Sequence, residues 1–412
     1  MERIIIIGGG FAGLKLARDL KGTDNEVWLF DKNNFHQFQP LFYQVATAGL
    51  EPSSISFPLR KVFQDHKNFH VRVTEVTGID PAKNSITTPI GEFTYDKLII
   101  ATGATTNFFG NKIIESNSIP MKSVNEALYL RNKILQNFED ALSVSEEERQ
   151  ALMNIVIVGG GATGVEVSGA LAEMKRCILP KDYPELDFKK MNIYLIEAGP
   201  KTLAAMSEES SAKSREYLEK LGVNVWTDTL VKTFNGNEVV LGNEKILPTK
   251  TVVWSAGITG NIIKGLPETS VAKGNRFIVD RTNLIQGCTN IYAIGDIALM
   301  KTEKFPNGHP QVATVAIEQG KLLAKNIKNK TAEPYEYSNK GSMATIGKNL
   351  AVVDLPRWKF QGFFAWLVWM GLHLFLILGV KNKLIIFVNW LWNYFTFDAS
   401  LRLIIKPFKK PL

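Results

Sequence analysis

Three glycines spaced Gly-x-Gly-x-x-Gly can receive a diphosphate when an apolar strand leads into them and a helix leads away. The chain carries this arrangement twice, as IIIIGGGFAGLKLA from Ile4 to Ala17 and as IVIVGGGATGVEVSGALA from Ile155 to Ala172. The first glycine permits the tight turn, the second lets a pyrophosphate approach the backbone, and the third lets helix and strand pack closely. The diphosphate then meets unpaired N–H groups at the positive end of the helix. In the first copy, Gly8, Gly10 and Gly13 are followed by a strand, EVWLFD, that ends at Asp31, 18 residues past Gly13. A carboxylate there can accept hydrogen bonds from a ribose diol. The alternative is a structural turn with Asp31 as a solvated cap.

The second copy is Gly159, Gly161 and Gly164, with a helix expected from about Thr163 to Met174. Its second strand, NIYLIE, ends at Glu197, 33 residues past Gly164, against a usual spacing of roughly 20. The excess is RCILPKDYPELDFKKM, whose prolines and charges read as a loop with a short helix. Glu197 would repel a 2′-phosphate, which favours NADH over NADPH, although Lys201 nearby works against that preference. Two turns of one design ask for two dinucleotides.

The elements needed to position these turns fit the length. A chain of 412 residues holds two or three domains. The start, ERIIII, reads as a strand rather than a secretory signal. Cys177 and Cys288 lie outside any CxxC spacing, so no disulfide framework or dithiol centre is expected, and no metal is expected either. The net charge of +8 admits a nucleic acid or an anionic membrane. From Lys381 onward six Lys or Arg face one acid, Asp398, around the most aromatic part of the chain, which favours the membrane over nucleic acid.

Two further segments, YDKLIIATGA (Tyr95–Ala104) and TNIYAIGDIA (Thr289–Ala298), resemble the flavoprotein disulfide-reductase-like superfamily, and TKTVVWSAGITGN (Thr249–Asn261) resembles its return from second domain to first. Within it the chain resembles the type II NADH:quinone oxidoreductases over nearly its whole length. The specific segments are FQPLFYQVATAGLEPSSISFPLR, ATGATTNFFG, GGGATGVEVSGALAE and VAIEQG. The resemblance implies FAD at Gly8, Gly10, Phe11, Ala12, Gly13, Asp31, Lys32, Gln44, Thr102, Gly103 and Asp296. It implies NADH at Gly159, Gly161, Thr163, Gly164, Glu166 and Glu197. Relatives that use cysteines near the flavin are disfavoured, because Cys177 and Cys288 are poorly placed for that chemistry.

Glu166, read as lying in the first turn of the second helix, would orient the nicotinamide as the catalytic carboxylate. The competing reading is a Glu that only complements the helix dipole. Gln44 would line the flavin and the quinone entrance. The segment Ala313 to Ile327 reads as a helix with Val315, Leu322 and Ile327 on its inner face. The family pattern carries glutamines where this chain has Thr314 and Glu318, whereas Gln319 matches. All three are quinone-contact candidates, with Glu318 either a gate or proton relay or a solvated helix-face acid.

Residues 358–397 hold thirteen aromatics, and Gln361 to Val380 has no Lys, Arg, Asp or Glu. That is long enough for a span, but His373, three glycines and scattered aromatics favour two interfacial helices helped by a basic tail. A dimer interface alone would hide the apolar surface without accounting for the tail. Trp366, Trp369 and His373 are candidates for a quinone tunnel.

The expected fold is α/β: two Rossmann-like dinucleotide-binding domains (FAD and NADH) and a C-terminal helical membrane-anchoring segment. The expected boundaries are 1–114 and 246–340 for the FAD domain, 115–245 for the inserted NADH domain and 341–412 for the anchor. The function implied is a monotopic NADH:quinone oxidoreductase on the cytoplasmic face of the cell membrane. It would pass hydride from NADH to FAD and two electrons to menaquinone or ubiquinone, without proton pumping. A homodimer is left open. A soluble flavoprotein reductase with another acceptor and a flavin- and NADH-binding redox sensor are the alternatives.

Overall fold

The computed structural model describes residues 1–396, 398 and 401–405. The basic tail's Lys406, Lys409 and Lys410 lie outside the described residues. The helices that carry the site are α1 (Phe11–Asp19), α2 (Phe42–Ala46), α3 (Ala162–Cys177), α4 (Ala313–Asn329), α5 (Phe363–Leu376) and α6 (Val380–Thr396). The strands are β1 (Arg3–Ile7), β2 (Glu26–Asp31), β3 (Phe69–Val73), β4 (Lys97–Ile100), β5 (Ile119–Pro120), β6 (Ile155–Val158), β7 (Ile193–Ile196), β8 (Val223–Trp226), β9 (Thr251–Trp254), β10 (Ile291–Ala293), β11 (Ser342–Gly347), β12 (Leu350–Asp354) and β13 (Lys359–Gln361).

Contacts divide the chain into two units. The first comprises Met1–Gln37, Ser56–Thr105 and Ile258–Asn339. Its central sheet is parallel in the order β10-β4-β1-β2-β3, with Ile4 opposite Val27 and Ile7 opposite both Phe30 and Ile100. Runs such as IIII and KLII suit strands covered on both faces, and Ile5, Ile7, Phe30, Leu98 and Ile100 lie in one buried cluster. Fully burying each such side chain contributes on the order of 2 kcal/mol.

The second unit comprises Phe38–Ile55, Thr106–Gly257 and the described residues from Lys340 onward. Its parallel sheet repeats the plan in the order β5-β9-β6-β7-β8. The seams fall at 105/106 and 257/258 rather than at 114/115 and 245/246. β9 pairs along β6, and Trp254 donates from its indole N–H to the Asn107 carbonyl at 2.9 Å, so both flanks stay with this sheet. The inserted loop contains the expected short helix, Leu179–Asp182.

A three-stranded antiparallel sheet, β11-β12-β13, leads into the C-terminal helices. β11 lies directly on α3: a Cβ on Gly169 would stand 1.6 Å from the Ile346 carbonyl oxygen. The apolar run Gln361–Val380 is not one helix. α5 ends at Leu376, Gly379 turns the chain at φ +81°, and α6 starts at Val380. At 14 residues, α5 reaches about 21 Å at ~1.5 Å per residue, short of a hydrocarbon core of about 30 Å. Among the described residues no helix is long and apolar enough to cross a membrane. Ala365, Trp369 and His373 face inward from α5, as do Ile386 and Trp390 from α6, whereas Phe364, Phe375, Phe387, Trp392 and Phe395 stand exposed.

Candidate functional site: two glycine turns and an apolar cavity

β1 delivers the chain to Gly8, which holds φ +105°, and a Cβ there would sit 2.3 Å from the Ala101 carbonyl oxygen. At Gly13 a Cβ would lie 2.0 Å from the Gly8 oxygen, so the strand and α1 close only through glycine. Gly10 meets nothing within 4 Å on its side-chain face. No side chain caps α1 and no acid stands in its first turn. The first N–H groups and the open glycine therefore fit a dinucleotide diphosphate.

Asp31 does more than wait for a ribose. Its carboxylate accepts from the Gly9 N–H at 2.6 Å and from the Asn33 N–H at 2.7 Å. Burial pushes this carboxyl up from the ordinary Asp range, with the two amide bonds and Lys32 pulling the other way. His36 donates from Nδ1 to the Gly9 carbonyl at 2.9 Å, and burial holds this ring below the usual His value. The Phe11 ring meets His36 edge-on at 5.3 Å. Ala12 is buried and would touch a Cβ on Gly295 at 3.2 Å, while Lys32 is exposed.

Thr102 donates to the Asn261 carbonyl at 2.7 Å, and Asn261 returns bonds from its side chain to Thr102 O and from its backbone to Gly103 O, each 3.1 Å. Gly103 takes φ +66°. The Asp296 backbone oxygen accepts from Gln311, and the Asp296 charge acts against the burial that lowers Arg276. Asn261, His36, Gln311 and Arg276 were not singled out from sequence. Asn261 alone stood in a quoted motif.

Gln319 is 1% exposed, and its Oε1 accepts from the Gly295 N–H at 2.7 Å. That bond gives the side-chain oxygen a part in holding the loop that carries Asp296, beside the quinone contact expected of Gln319. Thr314 is exposed. Glu318 is half-buried and accepts from the Tyr335 hydroxyl at 2.9 Å, so it is not a purely solvated acid. On α4 the buried face runs through Val315, Ala316, Gln319, Gly320, Leu323 and Ala324, leaving Leu322 and Ile327 at its margin. Gly320 sets this rotation, because a Cβ there would stand 2.6 Å from Ala12 O on α1.

The second unit repeats the turn. Gly159 holds φ +107°, and a Cβ on Gly164 would lie 1.9 Å from Gly159 O. Gly161 and Thr163 are exposed, Gly161 meets nothing within 4 Å, and α3 carries no side-chain cap. Glu197 accepts from Gly160 N–H at 2.5 Å and Gly199 N–H at 2.7 Å, while Leu203 N–H donates to Gly160 O at 2.7 Å. Lys201 pairs with Glu208.

Glu166 is corrected in position. α3 begins at Ala162, which leaves no acid in its first turn; Glu166 lies in the second and lines a cavity within this unit. The cavity has a volume of about 180 Å³ and opens to solvent, with Tyr43, Gln44, Glu173, Trp366, Trp369 and Trp390 among its walls. Burial pushes the Glu166 carboxyl up to about 8, although the Thr345 backbone and the Trp369 indole beside it pull down. The shift favours the neutral acid near pH 7, and with Glu166 in the second turn it weighs against a role as a dipole-complementing anion. Burial also raises Glu173. Gln44 donates to the Tyr43 hydroxyl and accepts from the Trp390 indole, both at 2.7 Å. Trp366 and Trp369 line this cavity. His373 does not; it stacks on Trp369 at 3.9 Å and donates from Nδ1 to Trp369 O.

The pyridine nucleotide-disulphide oxidoreductase family profile matches residues 2–320, and that of the NDH2 C-terminal domain matches 339–396. The type II NADH:quinone oxidoreductase Ndh of Mycobacterium tuberculosis is 34% identical, the match covering 94% of this chain and 87% of that protein. A probable NADH dehydrogenase of Dictyostelium discoideum is 28% identical over 95% and 89%. The structure of NDH2 from Plasmodium falciparum in complex with NADH superposes with a TM-score of 0.90 at 22% identity, covering 98% of this chain and 100% of that one.

Proposed function

We propose, since this chain belongs to the pyridine nucleotide-disulphide oxidoreductase family and within it to the type II NADH:quinone oxidoreductases, that it oxidises NADH and reduces a membrane quinone without pumping protons. Bound FAD supplies the two-electron step, taking hydride from NADH and returning electrons to the quinone. The observation that carries this reading is the duplicated turn, open at its second glycine, uncapped at its helix and tied at its first strand pair to one acid.

The residues divide the work. Gly8, Gly10 and Gly13 give the first diphosphate its backbone donors. Phe11, Ala12, Asp31, Lys32, Thr102, Gly103 and Asp296 frame the rest of FAD. Gly159, Gly161, Thr163 and Gly164 receive NADH, and the Glu197 charge turns a 2′-phosphate away. Glu166, neutral near pH 7, offers a hydrogen-bond donor in an apolar cavity instead of a fixed charge. Gln44 contacts the quinone there, and Thr314 and Glu318 are further contacts to test. Menaquinone and ubiquinone both suit an apolar wall with few polar groups.

The exposed apolar side chains of α5 and α6 support a monotopic association with the bilayer surface, here assigned to the cytoplasmic face. Lys383 reaches back to the Phe375 carbonyl at 2.7 Å, as a cation at an interface does. The deciding experiment is anaerobic: one equivalent of NADH is added to detergent-purified protein and the flavin absorption followed before and after a quinone analogue. Rapid bleaching and rapid recovery are expected; bleaching without recovery overturns the quinone as acceptor.

A further inference from the structure

We propose that Trp390 is a positioning residue that sets the direction of a hydrogen-bond chain, Trp390 to Gln44 to Tyr43, so that the Tyr43 hydroxyl donates into the cavity to a carbonyl oxygen of the bound quinone. This rests on the quinone reading above.

The argument is one of donor bookkeeping. An indole N–H can only donate. Trp390 Nε1 is 2.7 Å from Gln44 Oε1, so the amide oxygen must face Trp390. The amide nitrogen then faces Tyr43, whose hydroxyl oxygen accepts at 2.7 Å. The Tyr43 proton is left for another acceptor, and no described residue supplies one. Tyr43 is 8% exposed and lines the cavity. A buried hydroxyl without an acceptor costs stability unless a ligand accepts from it. The ligand that suits this site has an acceptor oxygen on an apolar ring, because Trp366, Trp369, Trp390 and Met370 make up much of the wall beside the Glu166 and Glu173 carboxyls. Trp369 holds the Tyr43 ring edge-on at 6.3 Å and touches Trp390 at 6.1 Å, which fixes both ends of the chain.

Without the indole N–H nothing decides which way the Gln44 amide lies. It can reverse, take the Tyr43 proton on Oε1 and withdraw the donor from the cavity. Trp390 sits on α6, a helix whose outer face is apolar. Seating that helix therefore decides whether the Tyr43 hydroxyl donates into the cavity.

The test uses the full-length, flavin-loaded protein and a ubiquinone analogue labelled with 13C at its carbonyls. The labelled carbonyl stretch in the infrared spectrum is expected to fall on binding to the parent protein, and to lose that fall in both Trp390→Phe and Tyr43→Phe. Trp390→His, which keeps an N–H donor, is expected to retain it. The quinone KM should rise roughly tenfold in each Phe variant, about one hydrogen bond, with no further rise in the double variant. Flavin content checks folding, and Trp390→Met repeats the test if Phe disturbs packing. A carbonyl band that stays lowered in Trp390→Phe, or KM effects that multiply in the double variant, would overturn the positioning role alone. No binding of the labelled quinone to the parent protein would overturn the quinone reading with it.

Discussion

The two glycine turns share a backbone and differ in what covers them. In both, the middle glycine of GGG is held at each end: Gly9 by Asp31 and His36, Gly160 by Glu197 and the Leu203 amide. Past the third glycine they part. Lys15, two residues after Gly13, makes a surface ion pair with Asp19 at 2.8 Å. Glu166, two residues after Gly164, enters a cavity and becomes a neutral acid. The difference comes from the covering element. α1 is crossed by a helix that yields at Gly320, whereas α3 is crossed by the strand β11, which brings Thr345 against Glu166. The two copies thus share a turn and differ in that only the second places a shifted carboxyl in a cavity wall.

The comparison breaks most sharply at the third glycines. Gly13→Ala puts a methyl 2.0 Å from the Gly8 oxygen and should abolish flavin retention, read as the visible absorption per protein. Gly164→Ala makes the same clash at 1.9 Å but should leave the flavin in place and weaken NADH binding at least a hundredfold, by titration of NADH fluorescence. Equal loss of both ligands in either variant would mean that the turns do not divide them.

Next in size is Gly169→Ala, which drives a methyl into the Ile346 carbonyl. It should destabilise the second unit by about 3 kcal/mol as overpacking does, with early protease cleavage near β11 as the readout. Replacing the two acids sharpens the comparison further. Asp31→Asn and Glu197→Gln each lose a charge-assisted pair of amide bonds, about 2 kcal/mol. Only Glu197→Gln should also let NADPH bind, which separate titrations with the two nucleotides will show.

The smallest effect is the pH profile. Burial holds the folded Glu166 carboxyl up at about 8, well above the usual range of a free Glu. The folded state therefore binds the extra proton across that window, and stability falls as pH rises from about 4.5 to about 8. Glu166→Gln removes this slope, so its Tm advantage over the parent protein should grow between pH 5 and pH 9, by a few degrees.

Much of this frame could be read in the sequence because glycine spacing and β-branched runs are local codes for backbone geometry. The paired turns, the acids at the ends of β2 and β7, the short helix in the insertion and the two C-terminal helices all follow from such codes. What stayed hidden depends on partners far along the chain. Nothing near Glu166 announces that Thr345 and Trp369 will dry it, and nothing near Gln319 shows that Gly295 will claim its amide. The seams at 105/106 and 257/258 stayed hidden for the same reason, since β9 is held by register with β6 rather than by any signal of its own. Asp31 was read as a ribose acceptor and Glu197 as a charge against a 2′-phosphate, while half of the hydrogen-bonding capacity of each carboxylate is used to stiffen its turn.

The break at Gly379 has a consequence for how the protein meets lipid. With α5 ending at Leu376 and α6 starting anew at Val380, neither helix is long and apolar enough to cross a bilayer, so on the membrane reading proposed above each would touch a single leaflet. Residence on the bilayer then becomes a partition equilibrium, set by lateral pressure, leaflet composition and ionic strength. A threaded helix would be placed once, at synthesis; a pair of floats can settle, leave and settle again as the membrane changes.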